Sequence, residues 1–218
     1  MRGVLMSLVL VAVPIVQPAA QQRSTSSDRR WAVGLLVGSS SFSGAAEATS
    51  DSGERITFAP YRPSMTGLRI TRGGNRLRLA ASVQFGRPGL AIRGAQGSLE
   101  DGIQAEILLV GQSVYHLWSF AAGASTRLVR LAGDASLRPS LGLELQRWSA
   151  SGSPALLILG GEAGLGLEVP LTGPFVAELS GAVGFTPSSP FRREDVPEEF
   201  RLRSTWRRTV AAAVYWRF

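Results

Sequence analysis

Three glutamates, Glu144, Glu162 and Glu178, stand at alternate positions among apolar and small residues, and four arginines, Arg69, Arg78, Arg127 and Arg207, do the same elsewhere in the chain. Ionised groups in such settings do one of two things. They exchange protons with a substrate, or they pair with opposite charges where water is scarce. The first reading needs partners that this chain lacks. Its one histidine, His116, has Ser113 and Ser119 three residues away on either side. On an extended strand, positions three apart face opposite ways, so neither serine meets the imidazole locally. With no cysteine, disulfides, thiol nucleophiles and cysteine-based zinc sites are excluded, and a lone histidine excludes any site needing two imidazoles. The acids are scattered and interleaved with arginine, so no metal cage or cofactor cradle stands out. No catalytic, cofactor-binding or metal-binding residue is assigned. The Arg and Glu set is read as a pairing network, with Glu144, Glu162 and Glu178 bridging Arg78, Arg127 and Arg207 and with Arg69 on the same face.

The elements that carry these residues have period two. Trp31, Val33, Leu35 and Val37 share one face, and Ala32, Gly34 and Gly38 the other. Leu77 to Phe85 alternates with Arg78 and Gln84, Trp118 and Phe120 with Ser119 and Arg127, and Leu141 to Leu145 with Glu144 and Gln146. Leu157 to Val169 alternates with Glu162 and Glu168, and Phe175 to Phe185 with Glu178. In the last segment Val210, Val214, Trp216 and Phe218 share a face opposite Arg207, Tyr215 and Arg217. Such alternation marks strands with one apolar face and one polar face. Eight strands are expected near 31–43, 64–73, 76–88, 116–130, 137–148, 155–169, 173–186 and 205–218. Segment 103–112 is a ninth apolar stretch. An even strand number, with both ends of the sheet on one side, places it in an excursion between the third and fourth strands, with ten strands as the alternative count. Segments 44–63 and 188–203 read as long loops, and 73–75 and 170–173 as short turns.

Composition supports the same class. The 218 residues include 44% hydrophobic and 18% charged residues, too apolar for a disordered chain. The net charge of +7 comes entirely from arginine, spread along the chain rather than gathered in a patch, so no nucleic-acid partner is expected. Residues 1–20 have the layout of a cleavable export signal, with Arg2, an apolar run from Val4 to Val16, and small residues up to Ala20. Residues 21–30 read as a flexible polar segment and 31–218 as the barrel domain.

Strands of 10–14 residues suit a membrane barrel better than an exported sandwich, because about 9–11 tilted residues cross a bilayer. A terminal alternating strand ending on Phe218 fits a sheet that closes on itself, with Trp31, Trp118, Phe120, Phe175, Phe185, Trp216 and Phe218 facing lipid near the interfaces. The eight strands, the segments LRPSLGLELQRW and GGEAGLGLEVPLTGPFVAEL and the terminal VYWRF resemble the small outer-membrane β-barrels, OmpA-like and OmpX-like. The resemblance implies an all-β, transmembrane, up-and-down antiparallel barrel in the outer membrane of a Gram-negative-type bacterium. Expected partners are membrane lipid, lipopolysaccharide and, through the C-terminal strand, the barrel-assembly machinery; the chain is expected to be a monomer. The expected role is structural or surface-interactive. A narrow or gated porin-like channel is the alternative, and a lipid-A-modifying barrel enzyme built on His116 a weaker one.

Overall fold

A computed structural model of the chain describes residues 31–49, 53, 55–74, 76–98, 104–111, 115–150 and 153–218. The expected signal, the polar 21–30 segment and Ser113 lie outside them. The strands in chain order are β1 (Trp31–Thr49), β2 (Arg55–Tyr61), β3 (Ser64–Gly73), β4 (Leu77–Gly86), β5 (Gly89–Ser98) and β6 (Gln104–Gly111). They continue with β7 (Tyr115–Thr126), β8 (Val129–Arg130), β9 (Ser136–Ala150), β10 (Leu156–Pro170), β11 (Phe175–Thr186) and β12 (Arg201–Arg217).

Among the described residues, eight strands form the wall, in the order β12-β11-β10-β9-β7-β4-β3-β1, and β1 pairs with β12 to close it. All the pairings are antiparallel. At the seam, Phe218 N–H donates to the Trp31 carbonyl at 3.0 Å, and Ala32 to Gly44 run opposite Arg217 to Thr205. Closure removes both sheet edges from the wall.

The register sets the shape. Following paired residues around the wall from Val33 through Ile70, Ala81, Ala122, Leu143, Gly161, Phe185 and Trp206 returns to β1 at Ser43, ten residues further on. Eight strands with this stagger tilt by about 40° and leave a wall radius of roughly 8 Å, room for side chains only.

Two long connections depart from the expectation of loops. Segment 44–63 is not a loop: β1 runs on to Thr49 and pairs through Ala46–Thr49 with β2. Gly44 (φ +89°) and Ala45 (φ +67°) form a bulge where the register shifts, and this irregularity hides the strand's continuation from a period-two count. Beyond the bulge, β2 pairs with β5 and β5 with β6, so Gln104–Gly111, the described part of the 103–112 stretch, extends the sheet at the end of the barrel that carries the long connections. Segment 188–203 folds back as a cap. It contains a short 3-10 turn at Arg193–Asp195, and β12 begins at Arg201. The expected strand 116–130 ends at Thr126, with the short β8 laid separately against β9.

Close approach explains one glycine. A Cβ on Gly34 would sit 2.4 Å from Cδ1 of Tyr215, inside the barrel wall next to the seam. Gly34→Ala is expected to destabilise the barrel by about 1–3 kcal/mol through overpacking. Denaturant unfolding of the refolded protein measures it; an unchanged midpoint would show that Tyr215 can move aside freely.

Candidate functional site

The barrel interior is the site, and alternation decides what enters it. Inward positions of each strand carry Arg69, Arg78, Gln84, Ser119, Arg138, Glu144, Gln146, Glu162, Glu168, Glu178, Arg207 and Tyr215, while outward positions are apolar. Facing inward positions include Gly67, Ala80, Ala121, Gly123, Gly142, Gly164 and Ala182, whose small size leaves room for the long ionised side chains.

Three layers follow along the axis. Nearest the short turns, Glu168 gathers arginines. Arg78 donates to it at 2.6 Å, Arg138 lies 3.9 Å away, and Arg217 also pairs with it. In the middle, the Arg69 guanidinium donates to Glu178 at 2.9 Å and to the Tyr215 hydroxyl at 3.2 Å. Arg207, 3% exposed, stands 2.5 Å from Glu144 and 3.1 Å from Glu162. Glu144, 1% exposed, also accepts from the Ser119 hydroxyl and from the Gln146 amide at 3.1 Å, and the Trp148 indole N–H donates to Gln146 at 2.9 Å. The chain of donors from Trp148 to Glu144 orients the carboxylate toward Arg207. A cavity of about 90 Å³ lies among these groups, bordered by Arg69, Arg78, Gln84, Glu162, Glu178 and Arg207. It has room for several water molecules.

The third layer is apolar. At the end with the long connections, Phe42, Phe58, Met65, Tyr115, Leu117, Trp148, Ile158, Phe191 and Val196 form a buried core across the barrel mouth. Phe42 meets Trp148 edge-on at 5.5 Å, and Phe191 packs on Phe58 at 4.8 Å and Tyr115 at 5.7 Å. Phe191 and Val196 come from the 188–203 segment, so that segment is a stopper rather than a free loop. Arg192 ties it down by donating to the Pro154 carbonyl at 2.9 Å, and Asp195 accepts from the Arg192 backbone N–H at 3.0 Å.

The sequence-based pairing needs three corrections. Glu178 pairs with Arg69, not with Arg78 or Arg207. Arg78 pairs with Glu168, a residue of the polar face that the expected network does not include. Arg127 is half-exposed by the short turn to β8, where its backbone N–H donates to the Arg76 carbonyl, and among the described residues no ion pair includes it. Its strand ends at Thr126, one residue short of the wall. Arg138 and Arg217 enter instead; both have inward parity, the signal that could have found them. Glu144, Glu162 and Arg207 do meet. His116 faces away from Ser119, whose hydroxyl is held by Glu144.

The outer face is the complement. Leu141 is 71% exposed, and Leu35, Leu143, Leu157, Val210 and many others are similarly bare. Trp31, Trp118, Phe120, Phe175, Phe185, Trp216 and Phe218 all lie on this face, exposed. Trp31, Phe175, Trp216 and Phe218 ring the short-turn end, and Trp118, Phe120, Phe185 and Trp206 the other. The rise and tilt of the strands separate the two rings by about 25 Å, matching the apolar band of a transmembrane barrel. Among the described residues no helix is long and apolar enough to cross a membrane.

A closed eight-stranded antiparallel barrel with its apolar residues outward and its ions inward has the fold of the small outer-membrane barrels. Solved structures agree at the level of fold. The chain superposes on Neisserial surface protein A (NspA) with a TM-score of 0.51 and 12% identity, covering 86% of this chain and 99% of that one. It superposes on the outer membrane protein OprG from Pseudomonas aeruginosa with a TM-score of 0.50 and 9% identity, covering 88% and 97%. No protein-family model matches the sequence, and no curated protein matches it.

Removing Arg207 leaves Glu144 and Glu162 facing each other without their shared cation. Arg207→Met is expected to cost about 3–5 kcal/mol, the penalty of breaking a buried pair. Adding Glu144→Gln should recover much of that loss. Denaturant titrations of Arg207→Met, Glu144→Gln and the double variant test the coupling, and additive losses would mean that the charges act independently.

Proposed function

We propose that the chain is an outer-membrane barrel with a structural or surface-interaction role, its lumen shut to solutes. The observation that carries this reading is the filled interior: ion pairs across the middle and an aromatic stopper across the mouth. A solute would have to displace Phe191 and Trp148 and then break the Arg207 pairs. The termini of the wall and the short turns face the periplasm, and the β2–β5–β6 extension and the cap face outward, as the asymmetry of connection lengths in such barrels suggests. Trp216 and Phe218, at the seam with Trp31, are the features the assembly machinery would read.

The cavity beside Arg207 favours one second reading, a narrow channel that opens when the cap lifts. Planar-bilayer conductance of the refolded barrel separates the two. Silence from a folded barrel supports the closed lumen, whereas discrete openings that grow more frequent in Arg207→Met would make it a gated pore. Insertion itself is tested by Leu165→Arg, which puts a charge on the outward face near mid-height. A loss of about 2–4 kcal/mol in vesicles is expected; a neutral result would mean that this face does not meet lipid.

A further inference from the structure

The outward face is apolar through the band but not at its upper rim. There, on adjacent strands, Arg87 follows the end of β4, His116 stands on β7 and Arg147 on β9. All three have the parity of the exposed face, and Arg87 and Arg147 are exposed. The register brings them together: Trp118 pairs with both Phe85 and Arg147, and Gly86 pairs with Leu117. Since β7 lies between β4 and β9 and Arg87 stands two residues beyond Phe85, Arg87 and Arg147 are about 12 Å apart at the backbone. His116 lies between them at nearly the same height. The aromatic rings form a floor: Phe85 is 5.0 Å from Trp118 and 6.0 Å from His116, and the Arg87 guanidinium lies 5.9 Å from the Phe85 ring.

Among the described residues no carboxylate pairs with Arg87, His116 or Arg147. Two other exposed arginines stand at this height: Arg62, just before β3 and over the Tyr61 ring at 5.9 Å, and Arg208, on the other side of the barrel between Val183 and Ser41. Arginine at a membrane interface costs little and gains by meeting an anion there, and two guanidiniums with a ring N–H between them offer converging donors to phosphate oxygens. The apolar wall directly below Trp118, made of Phe120, Leu143 and Leu145, suits acyl chains.

We infer that Arg87, His116 and Arg147 form a headgroup site for a phosphorylated lipid of the outward leaflet, with Trp118 and Phe85 as its floor. The inference rests on the membrane reading above and adds to it a specific side of the barrel. The phosphate sits between the two guanidiniums, and the acyl chains lie against the wall below. The site holds one lipid in place on one flank, where a general basic belt would hold several all round.

The test uses the refolded full chain in detergent micelles, with lipid A as the phosphorylated probe and dephosphorylated lipid A beside it. Native mass spectrometry counts the retained lipid, and resistance of the folded band to heat-free electrophoresis confirms the barrel. The expected result is one retained lipid A, no retention of the dephosphorylated form, and no displacement by excess inorganic phosphate. Arg87→Gln with Arg147→Gln should weaken retention by about tenfold or more, the scale of one or two lost charge-assisted hydrogen bonds, while Arg208→Gln leaves it unchanged. Equal retention in the double variant, or an equal loss in Arg208→Gln, would overturn the site and leave only diffuse charge attraction. Full displacement by inorganic phosphate would also overturn it, because the lipid would then contribute nothing. A double variant that fails to fold is replaced by Arg147→Lys, which keeps the charge but loses the fork and should give an intermediate loss. A wild-type chain that never forms the folded band would instead refute the membrane reading beneath the site.

Discussion

Everything in this molecule follows from the pairing of β1 with β12. A sheet facing lipid has no water to satisfy free N–H and C=O groups, so its first and last strands must find each other. The seam from Ala32–Arg217 to Gly44–Thr205 does this, and Phe218 extends it to Trp31. Closing eight strands with a stagger of ten residues then leaves little freedom. Strand tilt, wall radius and interior volume are linked. The narrow interior must be filled by the protein's own side chains.

Filling it with ions is costly, and the structure meets that cost by pairing. Among the described residues, Arg69, Arg78, Arg138, Arg207 and Arg217 share the inner space with Glu144, Glu162, Glu168 and Glu178. Each carboxylate has at least one arginine beside it. Breaking such a pair costs far more than the pair itself contributes, so the network acts chiefly on specificity and rigidity. Small residues on the facing strands are its counterpart: the ions lie over Gly166 and Gly184, where a Cβ would stand 3.4 Å from Cδ of Glu178 and 3.7 Å from Nε of Arg207. Toward the mouth the solution changes. Phe42, Leu117, Trp148 and Ile158 keep inward parity but bring apolar surface, and Phe191 of the cap completes their packing. A barrel built this way has its interior occupied by its own side chains from the short turns to the mouth.

Alternation made the faces legible from the sequence, and with them the class of fold. Trp31, Trp118, Phe120, Phe175, Phe185, Trp216 and Phe218 could be assigned outward, and Glu144, Glu162, Glu178 and Arg207 inward, because a strand reverses its side chains at every residue whatever its neighbours are. The outer end was less legible for a local reason. The bulge at Gly44 and Ala45 breaks the count, and the cap residues have no period of their own.

What only the tertiary structure decided is which residues meet. Glu178 reaches Arg69, and Arg78 reaches Glu168, because the stagger carries each strand past its neighbour before the ring closes. That stagger belongs to the whole sheet and leaves no mark on any single segment. The same holds for Arg127, which lost its place when β7 ended at Thr126, and for the union of Arg87, His116 and Arg147 across adjacent strands. A sequence with period two determines the inside and the outside of a barrel. Contact across the barrel and along its rim depends on shear, and shear exists only once the sheet has closed.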